Sequence, residues 1–201
     1  TDLAKACASD VILMVPPAQF LRAVLKDMQP FLDAKTPLIL CAKGIEQQSG
    51  LLMTDVAREA APKNKIAVLS GPTFASEVAQ GLPSAVTIAA DDLSLAEHIA
   101  QTLGSSNFRP YVSDDPIGAE IGGAVKNVLA IACGIVHGRG LGENARAAII
   151  TRGLAEMLRF GEKKGAQRDT LMGLSGLGDL ILTCSSLQSR NMSLGSALGQ
   201  G

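Results

Sequence analysis

One lysine, Lys126, stands in an apolar segment that carries almost no other charge. Within residues 117–136 the only charged side chains are Glu120 and Lys126. Burying an ammonium is costly unless it has a partner. The segment predicts a helix on which Gly122 and Gly123 precede Lys126 by one turn, on the side toward which its side chain leans. We interpret the glycines as room for a small ligand beside the amine; the alternative is a lysine that reaches the surface from a buried helix.

Asp179 is the candidate partner for this amine. It is the only charged residue in the glycine-rich segment 173–184. A carboxylate beside Lys126 would tune the pKa of the amine for proton transfer. The alternative is an aspartate that caps the N-terminus of a helix, which is a frequent role.

A third polar group, Ser189-Arg190-Asn191, precedes a predicted helix over residues 192–198. All three side chains can donate hydrogen bonds, and Ser189 can cap the helix. The guanidinium and the first backbone N–H groups of the helix would together hold a phosphate. Taken alone, a solvated helix cap is the favoured interpretation of this group.

The first part of the chain alternates apolar runs with amphipathic stretches. Five runs predict short strands: 10–16, 37–43, 65–71, 85–91 and 109–114. The stretches between them predict helices: 18–28, 51–61, 73–80 and 93–103. Continuous apolar strands that alternate with helices indicate an α/β fold with a parallel, Rossmann-type sheet covered on both faces.

The pattern becomes helical after Asp115-Pro116, a typical helix start. Helices are predicted over 117–137, 144–164 and 169–174, and residues 180–185 are equally compatible with a strand or a helix. We therefore place a domain boundary near residue 115, with one domain over 1–115 and a second over 116–201.

In an open parallel sheet, ligands bind outside the carboxyl ends of the strands. The first three predicted strands end in Pro16, in Lys43-Gly44 and in Gly71-Pro72-Thr73. Lys43 would place an ammonium at this edge, and the backbone N–H groups after Gly71 could receive an anion. A solvated loop lysine and an ordinary strand-to-helix connection are the competing interpretations.

Composition excludes several classes of function. The formal net charge is −1 and the basic residues are scattered, which argues against nucleic-acid binding and against a polybasic membrane surface. The longest apolar stretch contains Glu120, Lys126 and Asn127 and is a poor membrane span. The four cysteines form no C-x-x-C pair, and His98 and His137 lack a second ligand at a useful spacing. We expect reduced cysteines, no metal and a cytoplasmic protein.

Two glycine-rich segments resemble a dinucleotide fingerprint only superficially. The glycines at 138, 140 and 142 have the wrong spacing for G-x-G-x-x-G, and the segment that begins at Gly176 lacks the last small residue. Neither follows a clear strand. We expect any such fingerprint to precede residue 1.

Several segments together closely resemble bacterial NAD(P)-dependent glycerol-3-phosphate dehydrogenases: 70–86, 121–135, 144–157, 173–184 and 189–191, with Lys43-Gly44. The resemblance runs from end to end and implies an internal fragment that lacks both ends of the family's length. It implies a dinucleotide-binding domain, of which 1–115 is the remainder, followed by an all-helical substrate domain, of which 116–201 is the first part. The reaction implied is the interconversion of sn-glycerol 3-phosphate and dihydroxyacetone phosphate, in glycerophospholipid synthesis.

The resemblance also implies roles for individual residues. Lys126 matches the proton acceptor, and Asp179 joins it as the second catalytic residue. Substrate contacts fall on Lys43, Gly71, Thr73, Asn127, Asp179, Ser189, Arg190 and Asn191, with Thr183 as a lesser member. Cofactor contacts fall on Pro16, Lys43, Ala75 and Arg190.

These assignments give a mechanism as a hypothesis. Lys126 takes the C2 hydroxyl proton, while Asp179 and Asn127 hold its amine. Lys43 binds substrate oxygens, and Arg190 with Asn191 binds the phosphate. We expect NAD or NADP as the cofactor, a small phosphorylated substrate and a homodimer. The alternatives are a related dehydrogenase for a hydroxy acid and an inactive scaffold.

Overall fold

The structure is a computed structural model that describes residues 2–201. It contains one five-stranded sheet with the strands in sequence order. The strands are β1 (Ile12–Met14), β2 (Leu38–Leu40), β3 (Ile66–Ser70), β4 (Ser84–Ala89) and β5 (Phe108–Ser113). All five predicted strands are confirmed.

Helices accompany the sheet and then form the rest of the chain. Those of the sheet region are α1 (Leu3–Cys7), α2 (Leu21–Met28), α3 (Met53–Ala60), α4 (Ala75–Ala79) and α5 (Leu93–Leu103). The later helices are α6 (Pro116–Gly138), α7 (Gly142–Lys164), α8 (Arg168–Met172), α9 (Asp179–Ser185) and α10 (Arg190–Gln200). Residues 180–185 are therefore helical, and a π-helical turn, Leu174–Gly178, joins α8 to α9. The boundary near residue 115 stays a prediction.

The predicted parallel, Rossmann-type sheet is confirmed, with one antiparallel pair of strands that the sequence did not predict. β1, β2 and β3 are parallel, β4 is antiparallel to β3, and β5 is parallel to β4. A parallel connection needs a crossover that runs back along the whole strand. The connection from β3 to β4, residues 71–83, contains only one short helix, α4. The five residues of α4 rise only about 7.5 Å, whereas the five of β3 extend about 16 Å. The chain therefore re-enters the sheet at the edge where β3 ends.

Alternation along the strands divides their side chains between two hydrophobic cores. Leu38 and Leu40 pack with Leu21 and Leu25 of α2 on one face. Ile39 points to the other face, where a core forms with α5. This period of two is what a sheet covered on both faces requires.

The third hydrophobic core lies among the helices that follow the sheet. Ile121 and Cys133 of α6 pack there with Met157 of α7, Leu171 of α8 and Leu180 of α9. By length and composition alone α6 could cross a membrane, contrary to the prediction of a poor span, but 56% of its apolar stretch is buried inside the protein. Its start is confirmed as predicted, because the Asp115 side chain accepts a hydrogen bond from the N–H of Gly118.

α6 and α10 pack backbone against backbone through four glycines. A methyl group on Gly134 or Gly138 would overlap a carbonyl oxygen of α10, and one on Gly195 would overlap the Ile131 carbonyl of α6. A methyl group on Gly199 would lie 3.1 Å from the Gly138 Cα atom. Small residues spaced by four allow this close approach. The approach fixes the N-terminus of α10 beside the middle of α6.

Candidate active site

A cleft of about 920 Å³ lies at the carboxyl ends of β1, β2 and β3. The sheet region lines it with four residues that the sequence predicted: Pro16, Lys43, Thr73 and Ala75. The helical region lines it with six more: Lys126, Asn127, Thr183, Ser189, Arg190 and Asn191. Residues far apart in the chain therefore meet at the sheet edge where parallel α/β proteins bind ligands.

Asp179 joins two lysines at the base of this cleft. Its Oδ1 atom lies 2.5 Å from the Lys126 amine and its Oδ2 atom 2.6 Å from the Lys43 amine. The carboxylate is 1% exposed and Lys126 is 8% exposed. The Thr183 hydroxyl, one turn later on α9, donates to the Asp179 carbonyl oxygen at 2.6 Å. The predicted pairing of Asp179 with Lys126 is confirmed, and the second lysine on the same carboxylate is a new finding.

Two ammonium groups that share one carboxylate leave an excess positive charge at the cleft. Such a centre attracts an anionic ligand. Burial and then the charge on Lys43 lower the pKa of Lys126 from 10.5 to about 8, against the opposing effect of Asp179. An amine with a pKa in this range can exchange a proton near neutral pH.

The glycines before Lys126 do not form the ligand hollow that the sequence suggested. A methyl group on Gly122 would overlap the Ser175 carbonyl oxygen in the π-helical turn. A methyl group on Gly123 would lie 3.1 Å from carbons of the Lys43 side chain. That part of the prediction is wrong because protein fills the space. The absence of side chains at both positions lets Asp179 and Lys43 approach Lys126.

Asn127 does not hold the Lys126 amine, contrary to expectation. Its Oδ1 atom accepts a hydrogen bond from Asn191 Nδ2 at 2.8 Å, which links α6 to α10. Ser189 is the predicted cap, because its Oγ atom accepts from the Met192 N–H at 3.3 Å. Arg190 follows as the first residue of α10 and is exposed at the cleft. The helix N-terminus and the guanidinium thus face the same space, a suitable arrangement for an anion.

Two glycines shape the sheet side of the site. Gly44 has φ +152°, and a methyl group there would lie 3.0 Å from the Ala18 Cβ atom. Gly71 has φ +157°, and a methyl group there would lie 2.9 Å from the Val86 Cα atom. Side chains are disfavoured at both positions. Gly71 is buried behind the cleft surface, where its carbonyl oxygen lies 3.5 Å from the Lys43 amine, so its predicted substrate contact stays a prediction.

Sequence reasoning missed several residues of the site. Phe74, Ser76 and Gln188 also line the cleft. Each adjoins a predicted site residue, and this adjacency was the available signal. Within the described chain, Ser70 Oγ is the one buried side-chain polar atom that lacks a hydrogen-bond partner.

Neither of the two glycine-rich segments that the sequence analysis rejected directly follows a strand. One forms the turn between α6 and α7, and the other lies in the π-helical turn. Over residues 2–201, no group of three or more His, Cys, Asp or Glu side chains is placed to hold a metal ion.

A cleft at the carboxyl edge of a Rossmann-type sheet, faced by helices that supply a buried lysine–carboxylate pair, is an arrangement suited to a nucleotide-dependent dehydrogenase. Comparison with known proteins makes this class specific. The family model described as NAD-dependent glycerol-3-phosphate dehydrogenase N-terminus matches residues 1–96, and the corresponding C-terminus model matches residues 115–201. The chain therefore belongs to the NAD-dependent glycerol-3-phosphate dehydrogenase family, as its segments predicted.

Individual relatives agree with this assignment. The chain is 60% identical to glycerol-3-phosphate dehydrogenase [NAD(P)+] of Parvibaculum lavamentivorans, over 100% of this chain and 60% of that protein. It is 59% identical to the protein of the same name from Paramagnetospirillum magneticum, over 96% of this chain and 70% of that protein. The crystal structure of glycerol-3-phosphate dehydrogenase from Coxiella burnetii matches with a TM-score of 0.95 and 44% identity, over 100% of this chain and 62% of that chain. The chain thus spans about 60% of the length of these first relatives.

Proposed function

We propose that this chain, within a protein of its relatives' full length, interconverts sn-glycerol 3-phosphate and dihydroxyacetone phosphate with NAD or NADP. The observation that carries the proposal is the carboxylate of Asp179, which holds Lys126 and Lys43 at the base of a cleft that also presents Arg190. In this proposal Lys126 exchanges the proton, Lys43 supplies a second positive charge and Arg190 binds the phosphate, and all three residues line the same cleft. An alcohol phosphate that loses a proton and a hydride needs these groups.

Lys126 supplies the proton transfer in this proposal. With a pKa of about 8, roughly one amine in ten is neutral at pH 7; at a pKa of 10.5 the fraction is roughly one in three thousand. The neutral amine accepts the C2 hydroxyl proton during oxidation. The ammonium form returns a proton to the C2 oxygen during reduction, and Asp179 keeps the nitrogen in place in both forms.

Arg190 and the N-terminus of α10 bind the phosphate in this proposal. The guanidinium can form two parallel hydrogen bonds with phosphate oxygens, and the N–H groups of the first turn add to them. Asn191 is held toward α6 by its bond to Asn127. Lys43 approaches the substrate oxygens from the sheet side and adds its charge to the attraction.

We assign the dinucleotide to the remaining part of the cleft. Pro16 and Ala75 follow β1 and β3 at the sheet edge where such cofactors bind, with Lys43 and Arg190 beside them. When bound, NAD or NADP accepts the hydride from the substrate carbon and returns it in the reverse reaction. The residues of this chain orient the two molecules and move the proton.

The experiment that tests the proposal is Lys126→Ala in a protein of the relatives' full length. We expect turnover of sn-glycerol 3-phosphate to fall by about 10²–10⁴-fold because general base catalysis is lost. Cofactor binding, followed by fluorescence, should persist. Lys35→Ala, an exposed lysine in a turn, is the matched control. Near-normal turnover of the Lys126 variant would contradict the proposal.

The substrate is tested through Arg190→Ala. This change should raise the KM for the phosphorylated substrate far more than that for glycerol, because only the phosphate contact is lost. Equal effects on both substrates would refute the phosphate role. Faster turnover of a 3-hydroxy acid than of glycerol 3-phosphate by the unaltered protein would support the hydroxy-acid alternative.

We also propose that the protein supplies glycerophospholipid synthesis as a cytoplasmic homodimer, and that residues 1–115 and 116–201 belong to separate domains. The family resemblance supports these statements. Light scattering of the full-length protein measures its oligomeric state. Growth of a disrupted strain with and without added glycerol 3-phosphate tests the metabolic role.

A further inference from the structure

Lys43 is held by a segment that has little regular structure of its own. Between β2 and α3 the described chain forms no helix or strand, and a single bridge pairs Ile45 with Leu52. Lys43 begins this segment, yet its amine must lie within hydrogen-bond distance of Asp179 on α9. The position of Lys43 therefore depends on what fixes the loop that follows it.

A buried carboxylate in this loop, Glu46, is fixed by a guanidinium. Arg22 Nε lies 2.9 Å from Glu46 Oε1, and a terminal nitrogen of the same guanidinium lies 2.9 Å from Oε2. Glu46 is 8% exposed, and the Ser49 hydroxyl donates to it as well. Two parallel bonds of this kind fix both distance and orientation. Arg22 itself is anchored by its neighbour Leu21, which is fully buried in the sheet core.

The side chain of a residue before α2, Gln19, holds the backbone of the same loop. Gln19 Nε2 donates to the Ile45 carbonyl oxygen at 2.8 Å. The Gln47 N–H donates to Gln19 Oε1 at 2.9 Å. The loop is therefore attached to the α2 region on both sides of Glu46, three residues after Lys43.

We propose that Glu46 and Arg22 are positioning residues that keep the Lys43 amine over Asp179 and the substrate. This inference rests on the proposed function. Neither Glu46 nor Arg22 is among the described residues that line the cleft. They therefore act on the ligand only through Lys43. A loop released from α2 would let Lys43, whose side chain is 26% exposed, turn toward solvent.

Displacement of Lys43 has a consequence that a purely structural defect lacks. The positive charge of Lys43 lowers the pKa of Lys126, and Asp179 raises it. If the Lys43 amine moves away, the positive charge beside Lys126 is lost, and Asp179 pairs with Lys126 alone. Two further groups lie near Lys126. Arg190 lines the same cleft and is not moved by the loop, and the Cys184 thiol stays neutral because its bond to Cys133 and its burial raise its pKa. The pKa of Lys126 must then rise.

The test compares Glu46→Gln and Arg22→Lys with two matched controls in the full-length protein. Both variants lose the double charged hydrogen bond. Glu59, whose side chain is 57% exposed, is the other partner of Arg22, and Glu59→Gln removes its charge. Arg58→Lys alters a neighbouring surface arginine. The measurements are kcat, KM and the pH dependence of kcat/KM for glycerol 3-phosphate oxidation.

We expect both test variants to lose about tenfold in kcat/KM, a typical effect of one charged hydrogen bond. Their pH profiles should also move to higher pH, whereas the controls match the unaltered protein. If Glu46→Gln does not fold, Arg22→Lys carries the test. Unchanged kcat/KM and pH profiles in folded variants would overturn the inference. An inactive unaltered protein would refute the proposed function instead.

Discussion

Replacing Asp179 with asparagine tests the arrangement on which the site depends. The carboxylate now pairs with two ammonium groups, one on each oxygen. An asparagine of the same shape has one acceptor oxygen, and its NH2 group would face an ammonium. Lys126 is almost fully buried and cannot turn to water, whereas Lys43 is partly exposed and can.

The size of the effect follows from the pKa of Lys126. The fall from 10.5 to about 8 means that burial and the neighbouring Lys43 charge, net of Asp179, already cost roughly 3 kcal/mol at pH 7, at 1.36 kcal/mol per pKa unit. If the amine were fully neutral in the folded protein, its deprotonation at pH 7 would cost roughly 5 kcal/mol. Loss of the Asp179 charge can therefore add at most between about 1 and 2 kcal/mol to the cost that Lys126 already carries. The charged hydrogen bond that Lys43 loses adds about 1.5 kcal/mol or more. We expect Asp179→Asn to lower the free energy of unfolding by about 3 kcal/mol.

The pH dependence has a definite sign. The folded protein holds fewer protons on Lys126 than the unfolded chain between the folded pKa, about 8, and 10.5, so stability rises with pH over that window. Asp179→Asn lowers the folded pKa of Lys126 further and extends the window below pH 8. The deficit of the variant should therefore shrink between pH 7 and pH 9.

Urea unfolding followed by circular dichroism measures both effects. Asp91→Asn, whose side chain is 71% exposed, is the control and should change stability by less than about 0.5 kcal/mol. Adding Lys126→Met to Asp179→Asn should restore part of the loss, because it removes the unpaired cation. The reasoning is refuted if Asp179→Asn matches the unaltered protein at pH 7, or if its deficit is the same at pH 9.

Two further changes test other parts of the fold. Burial raises the pKa of Glu120 from 4.5 to about 7, although its carboxylate accepts hydrogen bonds from the Thr54 N–H and hydroxyl. Between these two pKa values the folded state holds more protons than the unfolded chain, so stability falls as pH rises. Glu120→Gln should flatten that slope in denaturation series from pH 4 to pH 8. Gly195→Ala should lower stability by about 1–3 kcal/mol because the methyl group overlaps the Ile131 carbonyl, despite a helix-propensity gain of about 1 kcal/mol. Leu198→Ala, exposed on the same helix, is the control, and a higher melting temperature for Gly195→Ala would contradict the packing argument.

Sequence by itself determined most of the strands and helices and many of the residues that line the cleft. Strands followed from short apolar runs bounded by turn residues, and helices from longer periodic ones, because these patterns reflect burial within a single element. Lys126 and Asp179 were recognisable since a lone charge in an apolar segment needs a partner. Ser189 and Asp115 were recognisable as caps because a cap is a local interaction.

Tertiary structure decided the features that depend on contacts between distant segments. The direction of β4 depended on whether residues 71–83 could cross back along the sheet. Residues 180–185 are helical in the fold, where α9 packs against α6. The sequence indicated open space beside the glycines before Lys126, but only the fold shows that the π-helical turn and Lys43 fill this space. Lys43 and Asp179 are 136 residues apart. No local pattern could predict that one carboxylate serves two lysines, because that pairing exists only where the sheet edge and α9 meet.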